Sequence, residues 1–170
     1  MNDVDIDWLA VNGTVQSVKA GDTLIHEKKT IDFLYLLLDG ELSITVGGPA
    51  GQRIATLYPG EIVGEISFVD TRPPSASVTA IHNSKLLTLR CDVISAKLEK
   101  DQGFAARFYR ALAKFLADRL HVTVSRFGYG SAQQDVDPDE LPDSDMDQFD
   151  LAAVRIDKLM KQLQSETTAA

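Results

Sequence analysis

Side chains able to do covalent chemistry are few in this 170-residue chain, and they do not gather. The histidines His26, His82 and His121 fall on an expected strand edge, a strand end and a helix, without the spacing of metal or haem ligands. Cys91 is the one cysteine, so no internal disulfide is available; a small, partly buried residue at a strand–helix junction explains it better than a reactive thiol. Aspartate and glutamate abound only where the chain looks solvated, which leaves paired-carboxylate catalysis unsupported. No Ser-His-Asp arrangement can be argued, and no Walker-type glycine loop is present. Enzyme is the class these residues support least. One stretch stands apart: Gly60-Glu61-Ile62-Val63-Gly64-Glu65-Ile66-Ser67-Phe68, closed by Pro74-Ser75-Ala76-Ser77-Val78-Thr79-Ala80. It sets the Glu65 carboxylate behind a glycine, with Arg72 as the cation of the intervening loop and Ser75 and Ser77 beyond it.

The elements that must position this stretch are legible from pattern. Asp5 to Ala10 suits a short helix that packs Trp8 and Leu9 onto the rest of the domain. From Val15 to about Arg90 the chain reads as strand and turn, with Gly21-Asp22, Asp39-Gly40, Gly47-Gly48-Pro49, Pro59-Gly60 and Asn83-Ser84 separating runs of Val, Ile, Leu and Thr. Asp39-Gly40 predicts a two-residue type I′ hairpin between 33–38 and 41–46. Leu42, Ile44 and Val46 alternate with polar neighbours and predict one buried face. Short strands with Gly/Pro turns make a mainly β jelly roll or small barrel. Asp92 then suits the N-cap of a short helix through Glu99, and Asp101 that of a long helix, about 101–126.

In that long helix Arg107, Arg110, Lys114, Asp118 and His121 form a narrow polar stripe, while Phe104, Phe108, Leu112 and Phe115 belong to an apolar arc far wider than one supporting surface requires. Such a helix is either sunk in its own core or shared with a second subunit, and a homodimer through Phe104, Phe108, Leu112 and Phe115 is the expectation. Beyond it, 127–150 reads as an acidic linker with Pro138 and Pro142, and 151–164 as an amphipathic tail helix in need of a groove, on this chain or on a protein partner. A net charge of −8 and pI near 4.8 argue against nucleic acid as partner. No apolar run approaches the roughly 18 residues that cross a bilayer, and the acidic start is unlike a signal peptide, so a cytoplasmic location is expected.

The glycine–glutamate stretch resembles the phosphate-binding cassette of cyclic-nucleotide-binding domains. Ala20-Gly21-Asp22-Thr23-Leu24 is similar to that family's early Ala-Gly-x-x-Leu run, and Tyr35 to Gly40 to its central Tyr-x-(Leu/Ile)-x-x-Gly segment. The two helices from Asp92 and Asp101 match its C-terminal pair, and the likeness spans roughly residues 10 to 126. It implies a Crp/Fnr-like sensor fold, here without a helix-turn-helix, and a regulatory rather than enzymatic role. It also implies site residues. Gly64 and Ile66 would offer backbone to a cyclic phosphate and Glu65 would hold the ribose 2′-OH. Ser75 and Ser77 would offer hydroxyls, and an Arg about nine residues after the Glu would grip the phosphate. The residue nine after Glu65 is Pro74, which donates nothing, and Arg72 lies two places early. Two expectations are compatible with these residues. In one, the chain is a stand-alone regulatory dimer with a degenerate cassette that acts through protein contacts. In the other, it senses cAMP or cGMP with a rewired grip using Arg72, Ser75 and Glu65. No other cofactor and no metal are implied.

Overall fold

A computed structural model describes residues 1–126; the linker and tail-helix expectations lie outside the described residues. The chain opens with helix α1 (Asp3–Asn12) and continues through strands β1 (Thr14–Val18), β2 (Thr23–Ile25), β3 (Phe33–Asp39), β4 (Leu42–Val46), β5 (Gln52–Leu57) and β6 (Ile62–Val63). The short helix α2 (Glu65–Asp70), β7 (Ser77–Ala80), β8 (Ser84–Arg90), α3 (Cys91–Lys100) and α4 (Gln102–Arg126) complete it. The strands form two four-stranded antiparallel sheets, ordered β1-β8-β3-β6 and β2-β7-β4-β5. The mainly β jelly roll expected from the sequence is what these residues form.

The Asp39-Gly40 hairpin does not form. β3 and β4 lie in different sheets, and the turn between them carries the chain from one sheet to the other. Gly40 is still required, because at φ +93° a Cβ there would strike Ser84 at its Cα and side chain. Asp39 keeps negative φ, so the turn lacks the second positive-φ residue that type I′ demands. The alternation in β4 also breaks. A register shift after Ile44 turns Thr45 inward, where its hydroxyl donates to the Gly48 carbonyl at 2.8 Å, and leaves Val46 exposed.

Two apolar clusters result. Leu37, Leu42, Leu57, Val63, Val78 and Leu86 fill the space between the sheets. The other cluster lies under the helices, where Leu34, Leu87, Leu89 and Ile94 meet Phe104, Phe108 and Leu112. Phe104, Phe108 and Leu112, expected at a subunit seam, are therefore spent on the chain's own core at 1%, 4% and 2% exposure. Phe115 is half-buried. A helix lying across a sheet points one full stripe of its large residues inward, and here that stripe takes the phenylalanines.

Local sequence fixes the helices. Asn2 and Asp5 form a reciprocal capping box on α1, through bonds of 2.9 and 2.8 Å. Asp101 caps α4 by accepting from Phe104 N–H at 2.8 Å, as its place before the apolar run predicts. α3 begins two residues earlier than expected, with Arg90 as N-cap in place of Asp92, which lies inside the first turn. α1 is tied to α4 twice. Trp8 meets Phe104 edge-on at 5.1 Å, and Arg107 donates to both oxygens of buried Asp5 at 2.7 Å. Arg107 thus leaves the polar stripe of α4 to hold the N-terminal helix.

The Arg107–Asp5 clamp predicts an asymmetry. Arg107→Leu strands a carboxylate whose side chain is 3% exposed and should lower stability by about 3 kcal/mol in urea titrations. Asp5→Asn leaves an arginine that is 38% exposed and can turn to water, and should lower it by about 1.5 kcal/mol. The Arg107 hydrogen bonds hold the Asp5 carboxyl below its ordinary value, against the opposing effect of burial. Its contribution is therefore complete above the unfolded value near 3.8 and lost as pH falls through the depressed one. The acid limb of the stability curve should be shallower in Asp5→Asn than in the parent.

Candidate functional site

The cassette begins where β6 ends. Gly64 adopts φ +93°, and a Cβ there would come within 2.8 Å of Ile31 Cδ1 and 3.1 Å of the Phe33 carbonyl oxygen, so glycine is the residue this corner admits. The corner turns the chain into α2 and places Glu65, the first residue of that helix, at 2% exposure. One turn further along α2, Phe68 rests edge-on against Phe108 of α4, with ring centroids 6.0 Å apart. The short helix is thus held between the barrel and the long helix.

Glu65 does not stand alone. Arg119, from the distal half of α4, donates Nη1–H to Glu65 Oε1 at 2.5 Å and Nη2–H to the Ile62 carbonyl at 2.9 Å. Its guanidinium also lies 3.6 Å from Glu61 Oε1. Burial pushes the Glu65 carboxyl above the ordinary carboxylate range, and the Arg119 charge offsets part of that push. Arg119 is not among the site residues expected from the sequence, although a signal for it was available. Phe108, Leu112, Phe115 and Arg119 succeed one another at four-, three- and four-residue steps, which continues the inward stripe. A cation on that stripe must meet an acid or a ring of carbonyls.

The loop after α2 separates the expected site residues. Thr71 ends the helix at φ +60°. Arg72 turns back on Asp70 and plays no part inward: its Nε–H donates to Asp70 Oδ2 at 2.8 Å, its Nη2 lies 2.6 Å from the same oxygen, and its side chain is 82% exposed. The Pro74 carbonyl accepts from Lys28 N–H at 2.7 Å, which pins the loop to the turn after β2. Ser75 stays at the surface, on the cavity wall. Ser77 does not face that cavity; it is 1% exposed and its hydroxyl accepts from Glu27 N–H at 3.0 Å, a bond that joins two parts of the barrel. Gly64, Glu65, Ile66, Arg72 and Ser75 do border a common cavity of about 370 Å³, whose lining also includes Arg119.

Other reactive groups offer nothing further. Burial raises the Cys91 thiol to about 11, with Asp32 and Asp92 adding to the effect, so it is a protonated, half-buried thiol at neutral pH. Among the described residues, no cluster of His, Cys, Asp and Glu could hold a metal ion, and no helix is long and apolar enough to cross a membrane.

The sequence pattern of the cyclic nucleotide-binding domain matches residues 15–101, which includes the glycine corner, α2 and the loop after it. The chain belongs to the cyclic nucleotide-binding domain family. It is 25% identical over 119 residues to the Pycsar effector protein XpPycTIR of Xanthomonas perforans, covering 69% of this chain and 38% of that protein. It is 37% identical over 79 residues to a cAMP-dependent protein kinase regulatory subunit of Yarrowia lipolytica, covering 46% of this chain and 21% of that subunit. The chain thus spans well under half the length of these two relatives. Among solved structures, a cyclic nucleotide-binding domain from Methylobacillus flagellatus superposes with a TM-score of 0.70 at 23% identity, covering 80% of this chain and 78% of that one. At that identity the likeness is one of fold.

Within this cyclic nucleotide-binding domain the ion pair between Arg119 and Glu65 should carry a pH signature. Arg119→Leu leaves the Glu65 carboxylate buried and unpaired, and should lower stability by about 3 kcal/mol at pH 7. With the guanidinium gone, burial and the Glu61 charge act on Glu65 against two backbone hydrogen bonds only, so its folded-state value is pushed further above the unfolded 4.5. The penalty then grows as pH rises past 4.5 and shrinks as pH is lowered toward it. Urea titrations at pH 5 and pH 7 should show the difference between variant and parent narrowing at the lower pH.

Proposed function

We propose that this cyclic nucleotide-binding domain is a regulatory module whose cassette lacks a working phosphate grip and which acts as a homodimer through protein contacts. The observation that carries this reading is Pro74. It stands where the family resemblance implies an arginine, and the nearest loop cation, Arg72, is committed to Asp70 on the outside. Charge-assisted hydrogen bonds contribute roughly 1.5–3 kcal/mol each, so a missing bidentate pair removes on the order of two decades of affinity or more. Arg119, the cation at the inner end of the site, is already shared between Glu65, Glu61 and a carbonyl.

Support for a dimer comes from the outer face of α4. Tyr109, Leu120 and Val124 are 48%, 62% and 42% exposed, and Ala113 and Leu116 fall between them. Tyr109, Ala113, Leu116 and Leu120 are set at steps of four, three and four residues, the spacing of a two-helix seam. This face is distinct from the inward stripe of Phe104, Phe108 and Leu112. A second subunit, rather than a membrane or nucleic acid, suits a narrow apolar line on a chain of net charge −8.

Two experiments test the reading. Calorimetric titration with cAMP and cGMP should give no heat at micromolar ligand, and Pro74→Arg should gain affinity by about two decades relative to the parent. Micromolar binding by the parent, lost in Arg72→Ala, would establish the rewired sensor instead. Sedimentation should show a dimer for the parent, and Leu120→Glu, an exposed change that spares the core, should yield a folded monomer.

A further inference from the structure

We infer that the cavity beside Glu65 takes an uncharged, hydroxyl-bearing ligand of nucleoside size rather than an anion. This inference rests on the reading of Pro74 given above and names what the cavity still fits. At about 370 Å³ the space lies within the range of small-molecule pockets, roughly 300–1,000 Å³. Its floor is apolar, with Ile25, Val63 and Val78 at 3–4% exposure. Each formal charge on its wall already has an opposite partner: Glu65 has Arg119, and Asp70 has Arg72. An entering anion would have to share the inward guanidinium of Arg119 with two carboxylates, Glu65 and Glu61, and it would gain no donor from Pro73 or Pro74. A neutral molecule meets none of that opposition. It would find hydroxyls at Ser67 and Ser75, which bond to no other described side chain, and aliphatic walls for a flat apolar body.

Adenosine and cAMP isolate the charge, since they share a base and a ribose and differ in the phosphate. Both should be titrated into the full chain by calorimetry, with melting followed in parallel. The expected result is adenosine binding at least tenfold tighter than cAMP. Ala76→Phe, which fills the cavity from a half-exposed position, should abolish it without lowering the melting temperature of the ligand-free protein. Ile66→Trp, on the exposed part of the same wall, should act likewise and serves if Ala76→Phe fails to fold. No adenosine binding up to millimolar concentration overturns this inference and leaves the degenerate-cassette reading standing. Binding of cAMP tighter than adenosine overturns both. Adenosine binding that survives both folded variants places the ligand elsewhere and overturns the inference alone.

Discussion

A guanidinium from the longest helix, buried against the carboxylate of the shortest, sets the terms for the rest of the molecule. Glu65 is held at 2% exposure behind a glycine corner, and a carboxylate so deeply placed must be matched by a cation. The match comes from residue 119, more than fifty positions along the chain. α4 must therefore lie across the cassette for the barrel to close without an unpaired charge. Phe68 on Phe108 adds an apolar contact beside the ionic one, so the two helices are joined on both their polar and their apolar sides.

The same arrangement recurs at the other end of α4. Arg107 reaches buried Asp5, which also caps α1, and Lys97 lies over the Trp8 and Phe104 rings at 5.9 and 5.4 Å. Helices α1, α3 and α4 therefore pack as one unit, and the unit meets the cassette through Arg119 and Phe108. The family fold supplies the barrel, whereas these particular pairs decide how tightly the helical unit is held to it.

How much of this the sequence disclosed depends on whether the signal is local. Asp101 as a helix cap, the shift from strand to helix near residue 90 and the glycine–glutamate stretch were legible because each is decided within a turn or two of chain. Asp39-Gly40 misled for the same reason. The dipeptide does specify a tight turn, but whether the turn joins paired strands or crosses between sheets is decided by Ser84 and by the layers it separates. The alternation of Leu42, Ile44 and Val46 failed at a bulge, which a period of two cannot show. Phe104, Phe108 and Leu112 were correctly seen as too apolar for solvent, yet width of an apolar arc does not tell which side faces the chain's own sheet. Arg119 is marked as inward by its place on the stripe, but its partner Glu65 is remote in sequence and the stripe does not name it.

The alternation of sheets also has a consequence for how the chain reaches this state. Among the described strands, β4 and β5 are the one consecutive pair bonded directly to each other; every other neighbour is non-consecutive. β1 must wait for β8, so Val18 meets Ser84 and Thr14 meets Thr88 only after roughly seventy intervening residues have been made. Each such closure loses chain entropy before any contact rewards it, which makes this a slow route compared with a helical bundle of similar size. During synthesis β1 emerges as an unpaired edge and remains so until β8 clears the ribosome, while β3 has only the two-residue strand β6 to pair with before then. The late arrival of one strand, β8, thus gates the joining of β1 to β3, and α3 and α4, which come directly after it, can dock only once that sheet is complete.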